Sequence, residues 1–190
     1  MKKNFITSIL YTAVATVLLG VIYPLVITGL AQMFAKDRAN GQLIRKDGVT
    51  VGSRILAQPF SSAKYFHARP SAGANGYDAT NSGGTNWGPT NQKLIDRVKN
   101  DTAALQSENP GKPVPVDLVT TSGSGLDPHI TPAAAEFQVA RVARVRGTAE
   151  SNIRKLVVEH TELRQFGFLG EPRVNVLELN LALDEMYPAP

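Results

Sequence analysis

The chain has 190 residues, with 20 Lys and Arg against 16 Asp and Glu and no cysteine, which excludes disulfides, thiolate metal sites and cysteine nucleophiles. All 16 acidic residues lie beyond residue 35, where 18 basic residues leave a net charge of +2. That excess is too small to indicate a nucleic-acid partner.

From Asn4 to Ala35 there is no Lys, Arg, Asp, Glu or His. About 20 apolar residues cross ~30 Å of hydrocarbon, whereas the core of a cleaved leader is typically ~7–15 residues long. Residues 4–35 are therefore predicted to be a transmembrane helix, although Lys2, Lys3 and the small pair Gly29 and Ala31 also suit a leader. Lys2 and Lys3 with the amino terminus face Lys36 and Arg38 across the span. This near balance leans towards a cytoplasmic start, which puts the rest of the chain outside the cytoplasm.

Within the span Ser8, Thr12, Thr16 and Gly20 recur at every fourth residue and so form one small-residue stripe, the kind of face on which a second helix docks in lipid. Pro24 removes the amide that would bond the carbonyl of Gly20, and its ring presses on that turn, where glycine relieves the clash. A kink whose freed carbonyl is satisfied by a neighbouring helix is expected there.

Residues 36–48 read as a juxtamembrane linker and 49–190 as a soluble domain. Val49 to Leu56 is a strand candidate. Gln58 to Asn91 is rich in Gly, Ser, Asn, Pro and Thr, a long irregular loop. Its aromatics Phe60, Tyr65, Phe66, Tyr77 and Trp87 mark it as an ordered, functional loop rather than a disordered one. Leu94, Ile95, Val98, Thr102 and Leu105 follow helical spacing and predict an amphipathic helix over 91–107.

Val116 to Thr120 is a short strand candidate. Thr131 as a cap, Pro132 in the first turn and Gly147 as a stop predict a helix to Arg146. Thr148 is expected to cap the next helix, with Ile153, Leu156, Val157 and a half-buried His160 on one face. From Arg173 to Leu183 the alternation at Leu177, Leu179, Leu181 and Leu183 suits a strand, yet a helix after Leu177 fits equally. Mixed strands and helices predict an α/β or α+β domain behind one transmembrane helix.

Gly83, Gly84 and Gly88 lack the Lys-Ser/Thr ending of a phosphate loop, and Gly123 and Gly125 lack the third glycine of a dinucleotide turn. His67, His129 and His160 share no metal-ligand spacing. Asp127 and His129 with Ser122 or Ser124 supply the residue types of a nucleophile system. The nucleophile-elbow pattern is missing, however, and Asp127-Pro128 ahead of a capped helix suits a turn. Arg141, Arg144 and Arg146 are expected on a solvated helix face, with an anionic partner as the sharper alternative.

Six blocks stand in one order: G-V-I-Y-P-L from Gly20, G-S-R-I-L-A-Q from Gly52, Y-F-H-A-R-P-S-A from Tyr65, S-G-G-T-N-W-G-P-T-N from Ser82, D-L-V-T-T-S-G-S-G-L-D-P-H-I-T-P-A-A-A from Asp117, and G-E-P-R-V-N-V-L-E-L-N-L-A-L from Gly170. Together they resemble the KdpC family, the small subunits of the bacterial Kdp potassium-transporting P-type ATPase complex (KdpFABC). G-G-T-N-W stands where the family resembles G-G-S-N-L, and Ala57-Gln58 where it resembles G-Q; these departures touch only packing near Trp87.

The resemblance implies a non-catalytic, single-pass subunit of the bacterial plasma (inner) membrane with no stably bound cofactor, working beside a potassium-channel-like subunit and an ATP-hydrolysing P-type subunit. It further implies a catalytic chaperone that raises the ATP affinity of the hydrolysing subunit, with ATP entering through that partner. The alternative is an extracytoplasmic cap over the potassium entrance that touches no nucleotide. Ser122, Gly125, Leu126 and Gln138 are what the resemblance offers as a loose nucleotide-related signature. ATP is cytoplasmic, so a domain across the membrane would act on its affinity only by allosteric coupling.

Overall fold

The structure, a computed structural model, describes residues 1–72 and 76–189 and divides into two compact units, Met1–Leu43 and Ile44–Pro190. In the first, α1 (Lys2–Val17), a π-helical turn (Leu18–Ile22) and α2 (Tyr23–Phe34) run on as one helix of 33 residues, long and apolar enough to cross a membrane. The π turn sits immediately before Pro24, and the Tyr23 amide bonds the Leu18 carbonyl five residues back. A widened turn is one way a helix absorbs the missing amide and bulk of proline. Ala35 leaves helical backbone (φ −144°, ψ 42°) and ends α2. The short α3 (Lys36–Ala39) follows, and the side-chain amides of Asn40 and Gln32 pair at 3.2 and 3.3 Å.

Residues 36–48, expected to be linker, thus hold α3 and most of a hairpin. β1 (Leu43–Lys46) and β2 (Val49–Ser53) form a two-stranded sheet. Asp47 (φ 51°) and Gly48 (φ 80°) turn between them, and Asp-Gly is a favoured pair where both turn residues need positive φ. Further on, α4 (Gln92–Glu108) is capped by Asn91, which accepts from the Lys93 amide at 2.9 Å.

The strand expected over 116–120 is a 3₁₀ turn, Val116–Leu118. Its backbone closes on itself, Leu118 N to Pro115 O at 3.1 Å, while the Asp117 carboxylate accepts the Thr131 amide and hydroxyl at 2.7 and 3.1 Å. A turn aims that carboxylate at the start of the next helix.

β3 (His129–Ile130) leads into α5 (Pro132–Arg146), followed by α6 (Glu150–Glu159), β4 (Thr161–Glu162), β5 (Arg173–Asn175) and α7 (Val176–Met186). The sheet order is β3-β5-β4, antiparallel, with Ile130 and Thr161 both opposite Val174. Thr131 caps α5 by accepting from the Ala134 amide at 3.1 Å, and Gly147 ends it at φ 65°.

The cap of α6 is Ala149, not Thr148. Thr148 closes the preceding helix instead, donating its amide to the Ala143 carbonyl at 3.1 Å, as a left-handed glycine stop requires. His160 is the residue that ends α6, with Nδ1 3.0 Å from Leu156 O. The leucine alternation after Leu177 resolves as helix, since Leu179 and Leu183 lie one turn apart and are fully buried.

Leu118, Ile130, Phe137, Val139, Val142, Ile153, Leu156, Val174, Leu179, Leu183 and Phe66 join in one core, each large side chain worth about 1.5–3 kcal/mol when buried. The molecule is one membrane-length N-terminal helix plus an α/β (α+β) domain of a small sheet and covering helices.

Candidate functional site

Ala63 to His67 runs through the domain without a strand partner, yet Phe66 is 0 % exposed. Buried backbone must be paired, and here side chains of α5 and α7 do the pairing. Asn180 donates to Phe66 O at 2.9 Å and accepts from Phe66 N at 2.8 Å. Gln138 repeats the arrangement on the next residue, donating to His67 O at 3.1 Å and accepting from His67 N at 2.8 Å.

Arg141 Nη1 donates to the carbonyls of Ala63 and Tyr65 at 2.6 and 2.9 Å, and its Nη2 to Gln138 Oε1 at 2.7 Å. Arg146 donates to the Lys64, Leu183 and Tyr187 carbonyls and to Asp184 at 2.7–3.3 Å. The solvated basic face expected of α5 is therefore corrected: Arg141 and Arg146 are buried and only Arg144 is exposed. A loop without secondary structure offers free carbonyls, and long guanidinium side chains reach them while their stems join the core.

Further along the loop, Arg69, Ser71 and Gly83 are tied to the turn at 120–127. Arg69 donates to Asp127 at 3.1 Å and to Thr120 O and Thr121 O at 3.3 Å. Tyr77 OH donates to Arg69 O at 2.7 Å, and Ser71 Oγ to Gly125 O at 2.8 Å. The Gly83 amide reaches Ser124 O at 2.9 Å. Gly125 has φ 68°, and a Cβ there would stand 2.8 Å from Gly83 O, so glycine is required for this approach.

Of the nucleotide-related residues, Ser122 Oγ lies 3.4 Å from Ser124 Oγ, Gly125 bridges to Ser71, and buried Leu126 accepts from the Ala57 amide at 2.9 Å. Gln138 borders a cleft of about 250 Å³ with His67, Asp101, Leu105, Leu118 and Arg141, whose lining does not include Ser122, Gly125 or Leu126. The structure brings those three together in one turn but does not place Gln138 in it. Burial, reinforced by Arg141, lowers the pKa of His67, and burial also lowers that of Arg141.

A second cleft of about 290 Å³ is lined by Arg69, Asp117, Asp127, His129, Glu171 and Arg173 among others. Asp127 accepts from the His129 amide at 3.0 Å, the geometry of an Asx turn. Burial opposes ionisation of Asp127, but the bonds from His129 and Arg69 outweigh it and hold the carboxyl below the usual carboxylate range. Among the described residues neither Ser122 nor Ser124 bonds His129, and no group of His, Cys, Asp or Glu is placed to hold a metal ion.

The stripe residues lie in the other unit, exposed along the helix. Ser8 donates back to Asn4 O at 2.8 Å. A Cβ on Gly20 would meet only Thr16 Cγ2, at 3.9 Å, so the helix itself does not demand glycine at that position.

The segments that meet in this web, 65–72, 82–84 and 117–135, fall within three of the six blocks on which the resemblance rested. The family model described as "K+-transporting ATPase, c chain" matches residues 5–185. The chain belongs to the KdpC family.

The chain is 70% identical over 190 residues to the potassium-transporting ATPase KdpC subunit of Koribacter versatilis, covering 100% of this chain and 98% of that one. It is 54% identical over 181 residues to the KdpC subunit of Acidobacterium capsulatum (95% and 97% covered) and 52% over 190 residues to that of Rhodospirillum rubrum (99% and 98%). KdpC membership makes it a membrane-associated accessory subunit of a potassium-transporting ATPase, with the other Kdp subunits as partners. Sequence reasoning missed Asn180 and Arg69 as organisers of the web. The available signal was an asparagine on the leucine-rich face of α7, since a polar residue on a buried face needs a partner.

Proposed function

We propose that this KdpC chain works by docking rather than by chemistry of its own: residues 4–35 span the inner membrane once from a cytoplasmic N-terminus and pack on a neighbouring subunit, and residues 49–190 form an extracytoplasmic domain that caps the potassium entrance. The partners are the potassium-channel-like and P-type ATPase subunits. The observation that carries this reading is the engagement of the domain's candidate groups, since Gln138, Arg141 and Arg146 are committed to backbone carbonyls and amides of their own fold. On the helix the opposite holds, with Ser8, Thr12, Thr16 and Gly20 exposed as a stripe beside the proline-adjusted turn at Pro24. Small residues there allow the close approach that lipid-embedded association needs.

The chaperone effect on ATP affinity, taken from the family resemblance, then runs through the complex as a difference in contacts between two pump states. A second reading, direct nucleotide contact at Ser122, Gly125, Leu126 and Gln138, draws on the cleft beside Gln138. The test is co-purification. Thr16→Leu with Gly20→Leu is expected to strip the chain from the complex, and undisturbed assembly would refute the docking stripe. A reporter fused after Pro190 that matures only outside the cytoplasm checks the orientation. ATP bound by the full chain in detergent, and lost in Gln138→Ala, would favour the second reading.

A further inference from the structure

The loop between β4 and β5 presents its apolar side chains to solvent: Leu163, Phe166, Phe168 and Leu169 are 80, 78, 70 and 49 % exposed. Its backbone is nevertheless fixed. Gln165 and Leu169 exchange both amide-to-carbonyl bonds at 2.9 Å, and the Gly167 and Phe168 amides close on Arg164 O and Gln165 O at 3.0 and 3.3 Å. Phe166 sits at φ 55°, a region costly for a bulky side chain that glycine or asparagine enters more easily. The fold draws no burial from that phenylalanine.

We infer that this loop is a preformed plug that seats in an apolar socket on the exposed surface of another subunit of the same pump. A tip held by the paired amides of Gln165, Gly167, Phe168 and Leu169 is cheaper to desolvate and loses less entropy on docking than an open loop. Charge selects protein over lipid as the occupant. The flanking charges cancel in fixed pairs, Arg164 with Glu171 at 2.6 Å and Arg173 with Glu162 at 2.9 Å. Lipid surfaces also take up Phe and Leu, but beside unpaired Lys and Arg or interfacial Trp and Tyr; between Leu163 and Pro172 the one cation, Arg164, is paired and there is no Trp or Tyr. An apolar centre inside a neutral polar rim is the make-up of a protein interface.

This inference rests on the docking role proposed above, and the experiment separates the two. Because the chain has no cysteine, Phe168→Cys, and separately Leu163→Cys, gives a single site for a water-soluble maleimide, read on this chain's own band. The expected result is rapid labelling of the isolated full chain in nanodiscs and loss of labelling in the assembled complex, while Val158→Cys, on exposed α6 surface, stays reactive in both. Phe166→Ala with Phe168→Ala is expected to weaken rebinding to a pump depleted of this chain by about 30-fold, the scale of one interface hot spot. Labelling undiminished in a complex that still co-purifies overturns the plug while leaving the docking role intact. Protection in nanodiscs without partner subunits overturns it in favour of lipid.

Discussion

The helix and the domain use polar and small residues in opposite ways. Along Lys2–Phe34 the small residues face outwards, and nothing within the helix requires Gly20 to be glycine. In the domain, residues that look destined for the surface turn inwards: Arg146 has a side chain 0 % exposed, and Gln138 is saturated by its neighbours. Charge in a sequence therefore indicates exposure only where no irregular backbone lies nearby asking for donors. In this chain the outward-facing residues are left for a partner helix, as proposed above, and the inward-facing ones hold the loop.

If that contrast is right, Arg146→Ala has the largest effect on the domain, because it takes the side-chain donor from the Lys64 and Tyr187 carbonyls and one of two donors from Leu183 O and Asp184, which keep the Tyr187 amide and the Tyr65 hydroxyl. A loss of about 3–5 kcal/mol is expected, as for a broken buried pair, read from the denaturant midpoint of the full chain. An unchanged midpoint with lost assembly would move Arg146 to the docking side. Gln138→Ala should cost about 2–3 kcal/mol by unpairing both backbone groups of His67, and the cost should be the same with and without ATP. Thr131→Ala should cost about 1 kcal/mol for the lost cap of α5.

The smallest effect concerns pH. Since His67 has its pKa lowered in the folded state, the unfolded chain takes up the proton first as pH falls below about 6.5, so the folded state loses stability on acidification until His67 itself titrates. His67→Gln should flatten the stability curve just below that pH. A slope that persists would assign the effect elsewhere.

Much of the scaffold was legible in the sequence because its signals are local. Thr131-Pro132 and Gly147 mark both ends of α5, and the uncharged run to Ala35 marks the helix. The web around Ala63–His67 was not legible, because it is made by side chains more than 70 residues away in sequence, Gln138 to His67 and Asn180 to Phe66. Periodicity places a residue on a face, but it does not reveal that an unpaired loop runs beneath that face. The same limit explains the misread strand at 116–120, where Asp117 is oriented by Thr131 rather than by a sheet. The hairpin of β1 and β2 had a local signal in Asp47-Gly48, which the polar composition of residues 36–48 obscured.

Docking as proposed and nucleotide contact by the domain make different demands on how this chain changes the ATP dependence of its pump. The most direct measurement is the ATP concentration for half-maximal hydrolysis by a pump depleted of this chain and then reassembled with variants. If docking governs, Gln138→Ala, assayed where it is folded, leaves that concentration at the parent value, while Thr16→Leu with Gly20→Leu returns it to that of the depleted pump. A Gln138→Ala shift with assembly intact, and no shift in the stripe variant, would contradict it.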